Sequence, residues 1–335
     1  VKAVILVGGE GTRLRPLTYA VPKPLLPIAN VAFLERQLTW LARHGVDEVI
    51  LAMGYLPDAF RSHFGAGSWR GVRLRYAVEP EPLGTAGAIR FAAEGITERL
   101  VVCNGDVLTD LDLGAMVGFH ERVGAEVTIH LVRVEDPSAF GVVPTRPDGA
   151  VEAFVEKPPA GDAPTDWVNA GTYVLEPSVL AAIPAGVPTS IERETFPALL
   201  ARRGRLFAWR QETYWLDIGT PAKYRQAQRD VLAGRLGLPP APGAREVGAG
   251  VWAQEGAVAA PDARLVAPVL LGPGCRVGAG ATVADSVVGP AVVVGAGATV
   301  RGSVLLAGVT VPEGAVVEGE VVAPGARLAV TEGVA

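Results

Sequence analysis

The sequence predicts an α/β domain on a mostly parallel sheet, followed by a parallel β-helix. Two patterns lead there. Over residues 1 to about 230, apolar runs alternate with segments whose apolar residues recur three and four apart. Further on, Gly, Ala and Val dominate, aromatic residues end at Trp252, and the apolar residues keep a fixed beat.

Taken in order, Ala3-Val4-Ile5-Leu6-Val7 reads as a buried strand, and Val49-Ile50-Leu51-Ala52, Leu100-Val101-Val102-Cys103 and Val127-Thr128-Ile129-His130-Leu131 as others. Phe33 to His44 and Ala86 to Glu94 carry helical spacing. Strands alternating with helices predict a sheet covered on both faces. Asp230 to Gly248 holds Gly234, Gly237, Pro239, Pro240, Pro242 and Gly243 and reads as a linker. The expected domains are therefore 1–233, a linker at 234–250, and 251–335. Beyond the linker, three series repeat every 17 residues: Leu271, Val288, Leu305 and Val322; Val277, Val294, Val311 and Leu328; Val266, Val283, Val300, Val317 and Val334. Steps of six, six and five within each coil predict three short faces, each with one inward apolar residue.

Composition narrows the function. With 49% hydrophobic and 19% charged residues in 335, the chain is globular. A net charge of −5 argues against a general nucleic-acid binder. Cys103 and Cys275 are the two cysteines, far apart, so neither a disulfide framework nor a cysteine zinc site is expected. No basic-then-apolar leader opens the sequence, and no apolar run reaches about 18 residues. The expectation is a soluble cytoplasmic protein with no nucleic-acid or membrane partner.

The first strand leads into Gly8-Gly9-Glu10-Gly11-Thr12-Arg13-Leu14-Arg15-Pro16, and Lys23 follows in Pro22-Lys23-Pro24. Glycines expose backbone N–H groups, and three cations follow them; together they suit a polyphosphate. The dinucleotide fingerprint would need a glycine where Leu14 stands, and the Walker loop would need Gly-Lys-Ser/Thr where Gly11-Thr12-Arg13 stands. A carboxylate closes the strand in Asn104-Gly105-Asp106, another closes a short apolar segment at Asp217, and such a pair suits Mg²⁺. Asn-Gly-Asp is equally ordinary turn chemistry.

Gly9 to Pro16 and the Pro-Lys-Pro around Lys23 resemble the hallmark of the sugar-1-phosphate nucleotidyltransferases, also called sugar-nucleotide pyrophosphorylases. The resemblance covers nearly all of residues 1 to 230. It implies a Rossmann-like catalytic domain, and the β-helix of such proteins is left-handed. It also implies that Asp106 and Asp217 hold magnesium, that Arg13 meets the leaving pyrophosphate, and that Lys23 meets the phosphates near the α-phosphorus. The nucleotide site would comprise Leu6, Gly8, Gly9, Gly11, Thr12, Arg13, Glu79, Pro82, Gly84, Thr85, Asn104 and Gly105. The sugar phosphate would meet Gly141, Glu156, Lys157, Asn169 and Gly171, with Lys157 on its phosphate and Glu156 and Asn169 on its hydroxyls. From the residues alone, Glu156-Lys157 is also an ordinary solvated strand end whose two side chains point opposite ways and need not pair.

Relatives using uridine or thymidine triphosphate commonly carry glutamine where Glu79 stands. A carboxylate only accepts, which complements the two donors on one edge of guanine; Glu81 could do the same, and a solvated glutamate before a proline turn is the plain alternative. Thr189 to Pro197, Leu83 to Gly87 and Asp136 to Gly141 are similar to mannose-1-phosphate guanylyltransferases. The expected reaction joins GTP and mannose 1-phosphate into GDP-mannose, releasing pyrophosphate. The alternatives are thymidylyl or uridylyl transfer to glucose 1-phosphate, or a non-catalytic subunit that binds the nucleotide sugar. Acyl transfer of the kind some β-helices perform would need a histidine there, and His44, His63, His120 and His130 all precede the linker. Val- and Ala-rich faces and open coil ends predict a homo-oligomer through the β-helix, with dimer favoured.

Overall fold

In the computed structural model, which describes residues 1–19, 21–65, 67–237 and 240–329, the chain groups into two compact units. The first comprises Val1–Glu10, Val21–Pro24 and Arg36–Trp215; the second comprises Gly11–Ala20, Leu25–Glu35 and Leu216–Ala335.

The apolar runs of the first unit form one ten-stranded sheet. Its centre is parallel: Leu100–Asn104, Lys2–Leu6, Glu48–Met53 and Val72–Val78 lie side by side in that order. The inner three are apolar apart from Lys2, Glu48 and Asn104 at their ends because both faces are covered, and Val4, Ile5, Ile50 and Val102 are fully buried, whereas Val72–Val78 exposes Arg73 and Arg75. Leu6 pairs level with Asn104 on one side and Ala52 on the other, so three strands end together. Ligands of open α/β sheets bind in a crevice at such carboxyl ends. The helix Gly84–Ala92 covers one face, with Ala86, Ile89 and Ala92 in the same core cluster as Val4, Ile50 and Leu100.

Trp167–Leu175 runs antiparallel to Leu100–Asn104 and ends the parallel run. On its other side it pairs with Val127–Arg133, and the register slips between Asn169 and Tyr173. Gly171 lies in that irregularity at φ +74°, and a Cβ on it would stand 2.6 Å from the Asn104 amide. Such irregularities re-aim side chains.

In the second unit, the helix Pro221–Leu232 packs on one face of the β-helix. Leu270, Val287 and Val304 on that face are buried. Arg229 forms a two-pronged ion pair with Asp285. Two expectations change here. Asp230, expected to open the linker, is a buried helical residue paired with Arg235, because the Tyr224–Ala227–Val231 stripe holds this helix to Leu232. The stretch 245–248 forms a strand antiparallel to Val251–Ala253; Pro239 lies outside the described residues.

The expected ladders appear as Leu271–Val288–Leu305–Val322 and Val277–Val294–Val311, with Leu328 packed against the same core. The third ladder departs in its first coil. Leu265, not Val266, pairs with Val283, and Val266 faces outward at 39% exposure. The register shifts between Val266 and Val269, so this coil spans one residue more than 17 and the inward position slips by one. Val283–Val300–Val317 then follow as expected, while Val334 lies outside the described residues. No described helix is long and apolar enough to cross a membrane. Cys103 and Cys275 are both buried thiols.

Candidate functional site

In the first unit a cleft of ≈ 400 Å³ opens at the level ends of the central strands. Leu6, Gly8 and Gly9 from the first strand and its loop line it with Glu79, Pro82, Gly84 and Thr85. Seven of the expected nucleotide residues are thus brought together. Ala52, near the end of the strand Glu48–Met53, and Gly54 and Tyr55, which follow it, also line the cleft and were not read as site residues from sequence. A glycine at the end of a parallel strand was their available signal. Gly8 and Gly54 pack closely: a Cβ on Gly8 would stand 3.2 Å from the Gly54 nitrogen.

Glu79 is half-buried and its carboxylate is already partly engaged. Oε2 accepts from the Leu83 backbone N–H at 2.9 Å, closing the Glu79–Leu83 turn. Burial raises the Glu79 carboxyl above its usual range, opposed by that hydrogen bond. Oε1 lies 3.6 Å from the Cβ position of Gly8. Glu81 lines the same cleft but is exposed.

At the end of Leu100–Asn104 the chain must turn against the first strand. The Gly105 nitrogen donates to the Leu6 carbonyl, and a Cβ there would lie 2.5 Å from that oxygen, so only glycine fits. The turn presents Asp106, whose Oδ2 stands 2.8 Å from the Lys23 ammonium. The two expected charges therefore meet each other. Gln37 fixes this turn from behind by donating to the carbonyls of Asn104 and Val107.

The expected sugar-side residues also cluster in part. Gly141 pairs with Glu156, and a Cβ on Gly141 would press on the Phe154 ring at 2.7 Å and on Glu156 Oε2 at 3.0 Å. Lys157 leaves the strand at φ +50°, and this turn brings its ammonium to 3.8 Å from Glu156 Oε1. The two side chains do pair, because Lys157 lies beyond the strand end where alternation no longer applies. Asn169 is held by Tyr173 and by the Gly171 N–H, and Gly171 packs on Asn104.

In the second unit Gly11 adopts φ +62° and starts a short 3-10 turn over Thr12–Leu14. Its carbonyl accepts from the Leu14 nitrogen and from the Thr18 hydroxyl. The exposed Arg13 guanidinium reaches Gly219: a Cβ on Gly219 would lie 2.9 Å from both terminal nitrogens. Asp217 stands two residues earlier, with Oδ2 3.8 Å from the Lys223 ammonium. Lys223 was missed from sequence; its signal is the Thr220 cap of the helix, which fixes Lys223 in the first turn.

No group of three or more His, Cys, Asp or Glu among the described residues could hold a metal by itself. Asp106 and Asp217 are hard oxygen donors. Each by itself is the kind of ligand that suits a cation which keeps several waters and completes its shell with substrate phosphates, as Mg²⁺ does.

A profile of the family described as "Nucleotidyl transferase" matches residues 2–234, and one described as "GlmU-like, C-terminal hexapeptide" matches residues 259–334. A mannose-1-phosphate guanylyltransferase of Mycobacterium tuberculosis is 43% identical over 84% of this chain and 77% of its own length. The catalytic subunit beta of the same-named enzyme from Xenopus tropicalis is 43% identical over 67% of this chain, which spans 62% of that protein. Among solved structures, HddC from Yersinia pseudotuberculosis complexed with GMP-PN superposes with a TM-score of 0.60 at 30% identity, over 69% of this chain and 99% of that one.

Proposed function

This chain belongs to the nucleotidyl transferase family, and from that premise we propose that it transfers guanylate from GTP to mannose 1-phosphate, giving GDP-mannose and pyrophosphate. The observation that carries this reading is the cleft at the level strand ends, where the glycine loop and a half-buried Glu79 share one wall. Two relatives named for this activity, each 43% identical, support the choice of base and sugar.

A phosphate oxygen of mannose 1-phosphate is the nucleophile. It is ionised at neutral pH, so the reaction needs no general base. It attacks the α-phosphorus of GTP, forming a P–O bond as the bond to the β-phosphate oxygen breaks. Catalysis is then positioning and charge neutralisation. Lys23 serves the phosphates near the α-phosphorus, Arg13 the leaving pyrophosphate, and Lys157 the incoming phosphate. Gly8, Gly9, Gly11 and Thr12 cradle the triphosphate, and Asn104 and Gly105 shape the floor of the turn. Glu79 accepts from guanine through Oε1 and the remaining lone pair of Oε2. Glu156 and Asn169 read sugar hydroxyls beside Gly141 and Gly171. Asp106 and Asp217 are the carboxylates assigned to Mg²⁺, which when bound neutralises charge on both reactants.

The catalytic domain we assign is 1–233, the linker 234–250 and the β-helix domain 251–335. We place the protein in the cytoplasm, as a homo-oligomer through the β-helix, whose outer faces leave Val258, Val293 and Val316 exposed. The reverse reaction tests the function: GDP-mannose with pyrophosphate should yield GTP, and absence of GTP under conditions that preserve the fold contradicts it.

A further inference from the structure

Glu192 lies where two parts of the first unit meet, within the stretch Thr189 to Pro197 that the sequence singles out, though no role for this residue was read there. Its segment, Ile191–Thr195, forms a single wide π-turn. Such turns are frequent at functional positions. The segment is bound to the cleft wall: the Ile191 nitrogen donates to Thr85 Oγ1 at 2.8 Å, and Ala86 N donates to the Thr189 carbonyl. Glu192 Oε2 accepts from the hydroxyls of Thr85 at 2.9 Å and Ser190 at 3.1 Å. On its other side, Oε1 accepts from the hydroxyl of the fully buried Tyr173 at 3.4 Å. The Tyr173 oxygen in turn accepts from Asn169 Nδ2 at 2.7 Å, while Asn169 Oδ1 accepts from the Gly171 nitrogen at 3.0 Å.

The direction of this chain follows from proton counting. An ionised carboxylate only accepts, so the single Tyr173 proton points at Glu192. The Tyr173 oxygen must then accept from Asn169, which fixes Nδ2 toward Tyr173 and Oδ1 toward Gly171. One amide N–H and one carbonyl lone pair are left for a ligand, in a known orientation.

We propose that Glu192 is a positioning residue which, through the Tyr173 hydroxyl, fixes the orientation of the Asn169 amide and so sets affinity for the sugar 1-phosphate. This rests on the reading of Asn169 as a sugar-hydroxyl contact. A glutamine at 192 keeps an acceptor for Thr85 and Ser190 but turns an NH₂ toward Tyr173. Tyr173 can then donate to Asn169, which favours the flipped amide, and the Gly171 N–H alone is left to hold Oδ1 in place.

The test measures KM and kcat for Tyr173→Phe, Glu192→Gln and the double variant, with GTP and mannose 1-phosphate varied separately. Each single change should raise KM for mannose 1-phosphate by about tenfold, the scale of one hydrogen bond, and leave KM for GTP within about twofold. The double variant should be no worse than Tyr173→Phe alone, because both act on one chain. Unchanged sugar KM in Tyr173→Phe, with normal wild-type turnover, overturns the inference and leaves the proposed function standing. Additive losses in the double variant overturn it as well. A folded wild type that turns over no sugar 1-phosphate overturns the function and the inference together. Tyr173→Phe keeps the ring in its core, so the test survives a Glu192→Gln variant that fails to fold.

Discussion

The Lys23 ammonium lies 2.8 Å from Asp106 Oδ2, joining residues 83 apart in sequence. Lys23 is largely covered, with 12% of its side chain exposed, while Asp106 retains 36%. The ion pair therefore seats a cation and a carboxylate beside the turn that follows the Leu100–Asn104 strand. With its carboxylate partly open to solvent, the pair contributes about 1 kcal/mol to stability. Asp106→Asn should leave the melting temperature nearly unchanged while lowering turnover by about 10²–10³-fold, the scale of removing one electrostatic catalytic group. Thermal melts and steady-state pyrophosphate release measure the two effects; near-normal turnover removes Asp106 from the mechanism.

The Arg13 guanidinium occupies the space that a side chain on Gly219 would need. Gly219→Ala should displace the flexible end of Arg13 at little cost in stability. Misplacement by about 1 Å costs up to about 100-fold in rate, so kcat should fall by about 10- to 100-fold. Arg13→Ala should be at least as damaging, and Gly219→Ala in an Arg13→Ala background should add nothing further. Independent losses in that pair would show that the contact does not matter.

Burial raises the Glu79 carboxyl above the ordinary value of 4.5. Below its own pKa the carboxyl carries a proton and presents a donor where guanine needs an acceptor. KM for GTP should therefore rise as pH falls, beginning at a higher pH than an ordinary glutamate would give. Glu79→Gln should flatten that dependence and weaken the preference for GTP over UTP. A pH profile of KM that is the same in the wild type and Glu79→Gln contradicts the assignment.

Leu265 and Val266 exchange their expected places in the first full coil. Leu265→Ala removes an inward, partly buried side chain and should cost roughly 1–2 kcal/mol. Val266→Ala removes an outward one and should cost less than about 0.5 kcal/mol. Denaturant unfolding of the two variants ranks them, and the reverse order would restore the unbroken 17-residue register.

The sequence displays what is local. The glycine loop, the buried strands and most of the β-helix ladder carry period or spacing that is visible within a few dozen residues. The Val266 register departs because one added residue before Val269 moves the inward position of that face from Val266 to Leu265, while the later coils keep the 17-residue step. Asp230 sat beside glycines and prolines, but its helix is held by Tyr224 and Gln228 donating to the distant Pro27 carbonyl. The Glu79 carboxylate was legible as an acceptor, while its prior engagement by Leu83 depends on the folded turn. The role of Glu192, within the singled-out stretch Thr189 to Pro197, was not legible for the same reason: its partner Thr85 lies 107 residues away.

The most direct measurement is pyrophosphate release in the presence of magnesium, with GTP, dTTP, UTP, CTP and ATP each paired with mannose 1-phosphate and glucose 1-phosphate. Release should peak with GTP and mannose 1-phosphate and vanish when magnesium is chelated. A peak with dTTP or UTP and glucose 1-phosphate would contradict the guanylyl assignment and the role of Glu79, and no release with any pair would contradict catalysis itself.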